Sequence, residues 1–276
     1  MTKPGRLFVV STPIGNMGDF SFRGVQTLRD AALVLAEDTR HTRHLLDRYE
    51  IDTPMQAYHE HNEAKQTPRV LERLRAGDDV ALVSDAGTPL VSDPGARLVA
   101  AALDADLAVV PVPGASALLA ALVASGIPAE PFTFFGFLPR SGSERAQRLV
   151  EVAQSPWTTV LYEAPGRVVD TLSAVAERAG GTRSAAVCRE LTKLHEEVRR
   201  GTLDELAAYY TETPPRGEIV IVIAGAPAPM LDEPAMRARA RELRAQGHSV
   251  RDTAAELARE FGAPRNLAYR VARDGE

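Results

Sequence analysis

Acidic side chains stand at the ends of several short apolar runs that the sequence predicts as strands. Glu37-Asp38 and Asp85 each follow one such run, and Glu163 ends a third. A carboxylate in this position can contact a ligand or cap the helix that follows. For Asp38 and Asp85, position alone leaves these two roles open.

Three loops rich in glycine and proline also follow apolar runs. Runs of this length are typical of strands that are buried on both faces. Glycines just beyond them let the backbone turn sharply and approach a ligand closely. In open α/β sheets ligands bind beyond the carboxyl ends of the strands, so the loops together predict a small-molecule pocket. The runs are Leu7–Val10, Val80–Val83 and Leu107–Val112, and the loops after them are Ser11–Asn16, Ser84–Pro89 and Pro113–Ala117.

The loops do not carry the motifs of common nucleotide sites or serine nucleophiles. Only Gly15 and Gly18 fall in the first loop region, which is too few for a dinucleotide fingerprint, and no lysine of P-loop type follows a glycine cluster. Ser116 lies at a strand-to-helix turn without a G-x-S-x-G motif, which favours helix capping or a hydrogen bond to a ligand.

Metal ligation has little support in the sequence. His41 and His44 are three residues apart and His59 and His61 two apart, with no further ligand at suitable spacing. We therefore predict no metal site. The single cysteine, Cys188, cannot form an internal disulfide, which favours a reducing compartment.

Strand and helix patterns alternate along the first half of the chain, which predicts an α/β fold with a mostly parallel sheet. We expect Asp93 to cap the helix that follows it, because aspartate is a good cap and Pro94 suits a first turn. The β-branched run Ile219–Ile223 predicts a central strand. The uncharged stretch from Leu107 to Ala129 contains several prolines and glycines, and predicts a buried strand, turn and short helix rather than a membrane span.

The predicted domains cover residues 1–113, 114–229 and 230–276, with a linker at 225–229. The chain has 276 residues and a net charge of −5, yet its last 47 residues hold nine arginines against eight acidic residues. This arginine-rich tail is modest evidence for an anionic partner, beside the commoner interpretation of a solvated helix face. Two short helical patterns joined at Gly262 resemble a helix-turn-helix.

Taken in order, the motifs resemble the tetrapyrrole methylase superfamily, and within it the branch that modifies small-subunit ribosomal RNA. The resemblance covers about residues 5 to 225. One departure is Gly166, where the family usually has a histidine between the proline and the arginine. The matching segments are Thr12–Asn16, Glu37–Thr42, Ser84–Pro89, Ser92–Gly95, Pro113–Ala117, Phe135–Pro139, Tyr162–Pro165, Cys188–Lys193 with Glu196-Glu197, and Gly217-Glu218.

The resemblance implies two α/β domains with the ligand cleft between them, and a small helical region at the C-terminus. It implies a cytoplasmic methyltransferase that uses S-adenosylmethionine and commonly forms a homodimer. The implied acceptor is the ribose 2′-hydroxyl of a cytidine in 16S ribosomal RNA, within the small ribosomal subunit. Two rival functions stay open: a precorrin-type methyltransferase, and a non-enzymatic nucleic-acid-binding sensor of S-adenosylmethionine.

The same resemblance assigns site residues as hypotheses. The donor pocket is expected to contain Pro13, Ile14, Gly15, Asp85, Ala86, Gly87, Ser116, Ala117, Phe137 and Leu138. Glu163, Glu190 and Lys193 are candidates for the acceptor side, with Glu163 as first choice for the general base and an ion pair with Arg167 as its alternative. The arginines expected to meet RNA are Arg40, Arg43, Arg140, Arg145 and Arg148 near the cleft, and Arg237, Arg239, Arg241, Arg244, Arg265 and Arg270 in the tail.

Overall fold

Two five-stranded sheets form the body of the protein in the computed structural model, which describes residues 3–227 and 232–274. The first sheet has the strand order β3-β2-β4-β1-β5 and the second the order β6-β7-β10-β8-β9. The strands are β1 Leu7–Val10, β2 Leu33–Ala36, β3 Met55–Ala57, β4 Val80–Val83, β5 Val109–Val112, β6 Phe132–Phe137, β7 Thr158–Glu163, β8 Ser184–Arg189, β9 Glu197–Thr202 and β10 Ile219–Ile223.

Helices pack on the sheets and form the tail. The helices of the body are α1 Phe22–Asp30, α2 Thr39–Arg48, α3 Glu63–Ala76, α4 Ala96–Asp104, α5 Ala117–Ser125, α6 Gly142–Gln154, α7 Val168–Ala179 and α8 Leu203–Glu212. Those of the tail are α9 Glu233–Ala245, α10 Val250–Phe261 and α11 Arg265–Asp274.

Every neighbouring pair in the first sheet is parallel, which confirms the prediction from strand–helix alternation. All four residues of β2 and of β4 are buried, because helices cover both faces of the sheet. The carboxyl ends of these strands therefore meet at one edge. The loops that begin at Ser11, Ser84 and Pro113 all leave from that edge.

The second sheet is mixed, with β10 in its middle and antiparallel to both neighbours. All five residues of β10 are buried, so the predicted central strand is confirmed. Ile219 pairs with Glu163 on β7 and with Arg189 on β8. Because β6 runs parallel to β7, its last residue, Phe137, lies at the same edge as these three.

The prediction that Asp93 caps a helix is wrong. Helix α4 begins at Ala96, and its N-cap is Gly95 with φ 124°. A side chain at Gly95 would meet Leu82 Cδ2 at 2.6 Å, so only glycine lets the chain cross the sheet so closely before the helix starts. Asp93 consequently stays in the loop after β4.

Three elements were absent from the sequence prediction: β3, β9 and α8. Strand β9 has the sequence Glu-Val-Arg-Arg-Gly-Thr and lies at the edge of its sheet, where only one neighbour pairs with it. Such a strand has no apolar run for a sequence pattern to detect.

The stretch from Leu107 to Ala129 contains β5 and α5, which confirms the predicted strand, turn and helix. Within the described residues, no helix combines the length and the apolar character needed to cross a bilayer.

The tail is a compact unit from residue 227 onward, and the residues up to 226 form another. Its three helices enclose their own apolar core, which includes Met236, Leu257 and Val271. Gly262, with φ 63°, ends α10 and allows the turn into α11, so the predicted helix pair is present. The predicted linker at 225–229 runs into residues 228–231, which lie outside the described part, and the predicted domain boundaries stay predictions.

Candidate active site

The three loops at the edge of the first sheet are tied together by short polar contacts. The Thr12 N–H donates to the Gly87 carbonyl at 2.8 Å, and the Gly87 N–H donates back to the Thr12 carbonyl at 3.1 Å. The Thr88 hydroxyl donates to the Ala115 carbonyl at 3.3 Å. A Cβ on Gly114 would lie 2.9 Å from Ser11 Cβ, so the first and third loops also pack closely.

A cavity of about 410 Å³ opens beside these loops, within the size range of small-molecule sites. Both sheets contribute to its wall, together with the start of α5. The residues from the first sheet and α5 are Ile14, Glu37, Asp85, Ala86, Gly87, Thr88, Val91, Ser92, Asp93, Ser116 and Ala117. Those from the second sheet are Phe137, Tyr162, Glu163, Ala164, Pro165, Cys188, Leu191, Gly217, Glu218, Ile219 and Val220.

Seven of the ten residues predicted for the donor pocket line this cavity. Ser116 has both roles that its position suggested, because it lines the wall and also accepts a hydrogen bond from the Leu119 N–H at 3.4 Å as N-cap of α5. The seven are Ile14, Asp85, Ala86, Gly87, Ser116, Ala117 and Phe137.

The other three predicted residues lie elsewhere. Pro13 and Gly15 line a separate cavity of about 190 Å³, and Leu138 is buried in the core of the second sheet. Gly15 has φ 147°, and a Cβ there would lie 2.3 Å from Lys193 Cγ. Gly15 thus makes room for the Lys193 side chain, which no local sequence pattern could have shown.

Glu163 lines the cavity but is fully engaged by its neighbours. Its Oε1 accepts from the Ala164 N–H at 2.9 Å and lies 3.2 Å from Arg167 Nε, while Oε2 accepts from the Thr171 hydroxyl at 2.6 Å. The side chain is 0% exposed. Both oxygens are occupied, so the geometry favours the alternative interpretation, an ion pair that fixes the loop after β7.

Glu190 and Lys193 do not line the cavity, although they support one of its walls. Glu190 Oε1 lies 2.8 Å from Lys193 Nζ and accepts from the Glu218 N–H at 2.9 Å. The hydrogen bond from Lys193 lowers the pKa of the Glu190 carboxyl. The pair therefore holds Glu218, which does line the cavity, at the start of β10.

Two further carboxylates on the wall were not among the predicted site residues. Glu37 and Asp93 stand with Asp85 on the side of the first sheet. Burial raises the pKa of Glu37, and the charges of Asp93 and Asp85 add to this effect. Burial likewise raises the pKa of Asp93 to about 6, against a hydrogen bond from Ser84 that lowers it. Both residues stood in the matching motifs, and Glu37 follows a predicted strand, but Asp93 was expected to cap a helix instead of facing this cavity.

Asp38, in contrast, caps a helix. Its carboxylate accepts from the Arg40 N–H at 2.8 Å at the start of α2 and pairs with the Arg40 guanidinium at 2.7 Å. The Asp38 N–H donates to Asp85 Oδ1 at 3.0 Å, which fixes that carboxylate in the wall. The two roles left open by the sequence are thus divided: Asp38 is the cap and Asp85 lines the cavity.

The remaining reactive group on the wall is Cys188. Its side chain is buried, and burial raises the pKa of the thiol to about 11. The thiol is therefore neutral near pH 7 and is a poor nucleophile. In the ranges that the structure describes, no group of three or more His, Cys, Asp or Glu side chains is placed to hold a metal ion.

The arginines predicted near the cleft have different surroundings. Arg40 is paired with Asp38, and Arg145 donates to the Pro139 carbonyl at 3.1 Å. Arg40, Arg43, Arg140 and Arg148 are exposed, and Arg148 pairs with Glu151 at 2.7 Å.

Comparisons with known proteins agree with this fold. The model of the family Tetrapyrrole (Corrin/Porphyrin) Methylases matches residues 6–207. A Synechocystis protein named Ribosomal RNA small subunit methyltransferase I is 46% identical over 270 residues, which cover 97% of each chain. Its namesake in Xylella fastidiosa is 46% identical over 275 residues, covering 98% of this chain and 99% of the relative.

Among solved structures, the uroporphyrin-III C-methyl transferase of Thermus thermophilus, complexed with S-adenyl homocysteine, has the same fold. Its TM-score is 0.58 at 22% identity, and the match covers 80% of this chain and 97% of that one. The chain therefore belongs to the tetrapyrrole methylase family and, within it, to the group of ribosomal RNA small subunit methyltransferases I.

Proposed function

We propose that this protein transfers a methyl group from S-adenosylmethionine to the ribose 2′-oxygen of a cytidine in 16S ribosomal RNA, in the cytoplasm. The observation that carries the proposal is the cavity itself, in which glycine-rich backbone and several carboxylates meet in a chain of this family. The name of the relatives at 46% identity supports the RNA substrate. The S-adenyl homocysteine complex of the Thermus thermophilus enzyme supports the donor.

The residues of the wall fit such a donor. S-adenosylmethionine supplies a methyl group on a positively charged sulfur, and it carries an ammonium group as well. Glu37, Asp85 and Asp93 place negative charge on one side of the cavity, where a cation would offset the burial and the repulsion that together raise the pKa of Glu37. Ala86, Gly87, Ser116 and Ala117 present backbone and small side chains that allow close approach.

Asp93 is the group best placed to accept the proton of the 2′-hydroxyl. It lines the cavity, and in the described part of the chain no cation forms an ion pair with it. A general base works best when its pKa lies near the working pH, and the Asp93 pKa of about 6 meets this condition. In this proposal Glu163, Glu190 and Lys193 position the walls rather than exchange protons with the substrate.

The main test is methylation of small ribosomal subunits and of naked 16S RNA by the purified protein. We expect 2′-O-methylation at a cytidine with release of S-adenosylhomocysteine, and heat on titration with S-adenosylmethionine in a calorimeter. Mapping of 2′-O-methyl sites in a strain that lacks the gene should show the same site unmodified. Methylation of a precorrin instead of RNA, or donor binding without turnover, would replace the proposal with one of its two rivals.

Substitution of Asp93 by Asn tests the proposed base. We expect kcat/KM for RNA, measured at saturating donor, to fall by about 10²- to 10⁴-fold, the usual contribution of general base catalysis. The Kd for S-adenosylmethionine should weaken far less, because Glu37 and Asp85 remain on the wall. The wild-type kcat/KM should rise with pH through about 6 and then level off, and the variant should lack this rise. Asp104→Asn, at the exposed end of α4, is the matched control and should behave as wild type.

The Asp93→Asn variant should also differ from the wild type in thermal stability, in a direction that depends on pH. The folded state raises the Asp93 pKa from 3.8 to about 6, so ionisation lowers the free energy of unfolding as the pH rises through this interval. Asp93→Asn should therefore have a higher Tm than the wild type at pH 8 and lose that advantage near pH 4. A variant with lower stability and unchanged pH profile would contradict the assignment.

We also propose that the tail, as a unit of its own, binds RNA. Arg237, Arg239 and Arg270 form ion pairs with glutamates of the tail, so part of its positive charge is neutralised within the unit. Arg251 and Arg265 are exposed and, in the described ranges, make no ion pair with a carboxylate. These two side chains are free to meet phosphates.

We expect deletion of residues 230–276 to weaken RNA binding by about tenfold or more and to leave the Kd for S-adenosylmethionine unchanged. The full-length double variant Arg251→Ala/Arg265→Ala should give a smaller loss and a shallower dependence of the RNA Kd on salt. Equal RNA affinity in the wild type and both altered chains would show that the tail does not contact RNA.

A homodimer is also part of the proposal, and α5 offers a surface for it. The helix is apolar along its whole length, yet Leu119 is 52% exposed and Val123 is 83% exposed. An apolar helix that leaves such side chains in water is typical of a covered interface. Light scattering should give twice the 29.8 kDa of one chain, and Val123→Glu should reduce the mass to that of one chain. Leu103→Glu, on α4 and similarly exposed, is the control that should stay dimeric.

A further inference from the structure

A second cavity of about 330 Å³ adjoins the proposed donor site, and Phe137 forms part of the wall of both. We infer that this second cavity binds the nucleobase of the target nucleotide, stacked on the Phe137 ring. The inference rests on the proposed function and adds to it the position of the base.

A β-bulge turns Phe137 toward the cavities. The register of β6 against β7 shifts between Phe134 and Gly136, so that Phe134 pairs with Val160 and Phe137 pairs with Tyr162. Residues three apart on a regular strand would face opposite sides of the sheet. The bulge removes this alternation and brings both phenylalanines against Tyr162, at ring-centroid distances of 4.9 and 5.6 Å. Bulges next to active sites often re-aim a side chain in this way.

The Phe137 ring is held in place and yet remains largely uncovered. Tyr162 contacts it edge to face at an interplanar angle of 61°, while the ring is still 57% exposed. A large aromatic side chain that is fixed in position but open to solvent provides a ready stacking surface. Unpaired RNA bases bind proteins chiefly by stacking on such rings.

The position of Phe137 also places a stacked base next to the proposed chemistry. A Cβ on the preceding Gly136 would lie 2.9 Å from Ser92 Oγ, so this end of β6 packs against the loop that carries Asp93. The ribose of a nucleotide is joined directly to its base. A base on the Phe137 side of the shared wall can therefore present its sugar to the cavity that holds Asp93.

The polar groups of the second cavity match the edge of a cytosine. Glu144 and Arg148 line it, one turn apart on α6. Arg148 Nη1 pairs with Glu151 Oε2 at 2.7 Å, and the other N–H groups of the guanidinium are the ones proposed to donate to a base. A carboxylate accepts a hydrogen bond from the cytosine amino group, and a guanidinium donates to the ring nitrogen or carbonyl. Uracil presents a carbonyl where cytosine has its amino group, so Glu144 would disfavour it.

The decisive experiment compares Phe137→Leu with Phe137→Tyr in methylation of the small ribosomal subunit. We expect Phe137→Leu to lower kcat/KM for RNA by about 10- to 100-fold at saturating S-adenosylmethionine, since stacking on an aromatic ring is lost. Because Phe137 also lines the donor cavity, the Kd for S-adenosylmethionine is measured in parallel and should change by a much smaller factor. Phe137→Tyr should restore most of the wild-type value. Phe132→Leu, at the opposite end of the same strand, is the matched control and should change neither quantity.

A second measurement, the preference for cytidine over uridine, tests the inference even if Phe137→Leu folds poorly. With RNA that carries uridine at the target position, the wild type should be slower than with cytidine, and Glu144→Gln should reduce this discrimination. If Phe137→Leu matches the wild type, or weakens donor binding instead of RNA use, the nucleobase subsite is refuted. Failure of the wild type to methylate RNA would refute the proposed function itself, which is a separate outcome.

Discussion

The reciprocal backbone hydrogen bonds between Thr12 and Gly87 are the contact on which the geometry of the cavity depends. They join the loop after β1 to the loop after β4 at the edge of the first sheet. Gly87 makes them with φ 80°, a conformation that a residue with a side chain rarely adopts. Because Asp85 and Ala86 directly precede Gly87, this clamp also fixes the backbone that forms part of the cavity wall. Without these two hydrogen bonds, the loops after β1 and β4 would not form one continuous wall of the cavity.

The acidic residues around the cavity fall into two groups, according to whether a cation is paired with them. Glu163 and Glu190 are satisfied by a neighbouring cation and by backbone N–H groups, and they hold loops in place. Glu37 and Asp93 have raised pKa values, first because they are buried. Burying carboxylates without a cation opposes folding, and such a cost is typical of functional sites. The arrangement is explained if a positively charged ligand completes the site.

The sequence was sufficient for what depends on local pattern. Apolar runs predicted four of the five strands of the first sheet, all but β3, and also β10, and the glycine-rich loops predicted the edge at which the cavity opens. The sequence was insufficient where a contact between residues far apart in the chain determines the local structure. Asp93 was expected to cap a helix because nothing in its own segment reveals that Gly95 must first pass Leu82. Gly15 was assigned to the donor pocket from its glycine-rich loop and the family resemblance, and its contact with Lys193, which is distant in sequence, had no local signal. The bulge that aims Phe137 likewise depends on pairing with β7.

An acidic cavity also constrains how RNA can approach it. Phosphates and carboxylates repel each other, and inside a partly buried cavity water and salt screen that repulsion only weakly. A nucleotide that presents its ribose to Asp93 must therefore keep its phosphates outside the cavity, so its base has to enter first. An uncharged stacking surface such as Phe137 suits the base, whereas cations suit the strand beyond the mouth. Salt should thus affect how tightly RNA binds much more than how fast a correctly seated ribose reacts.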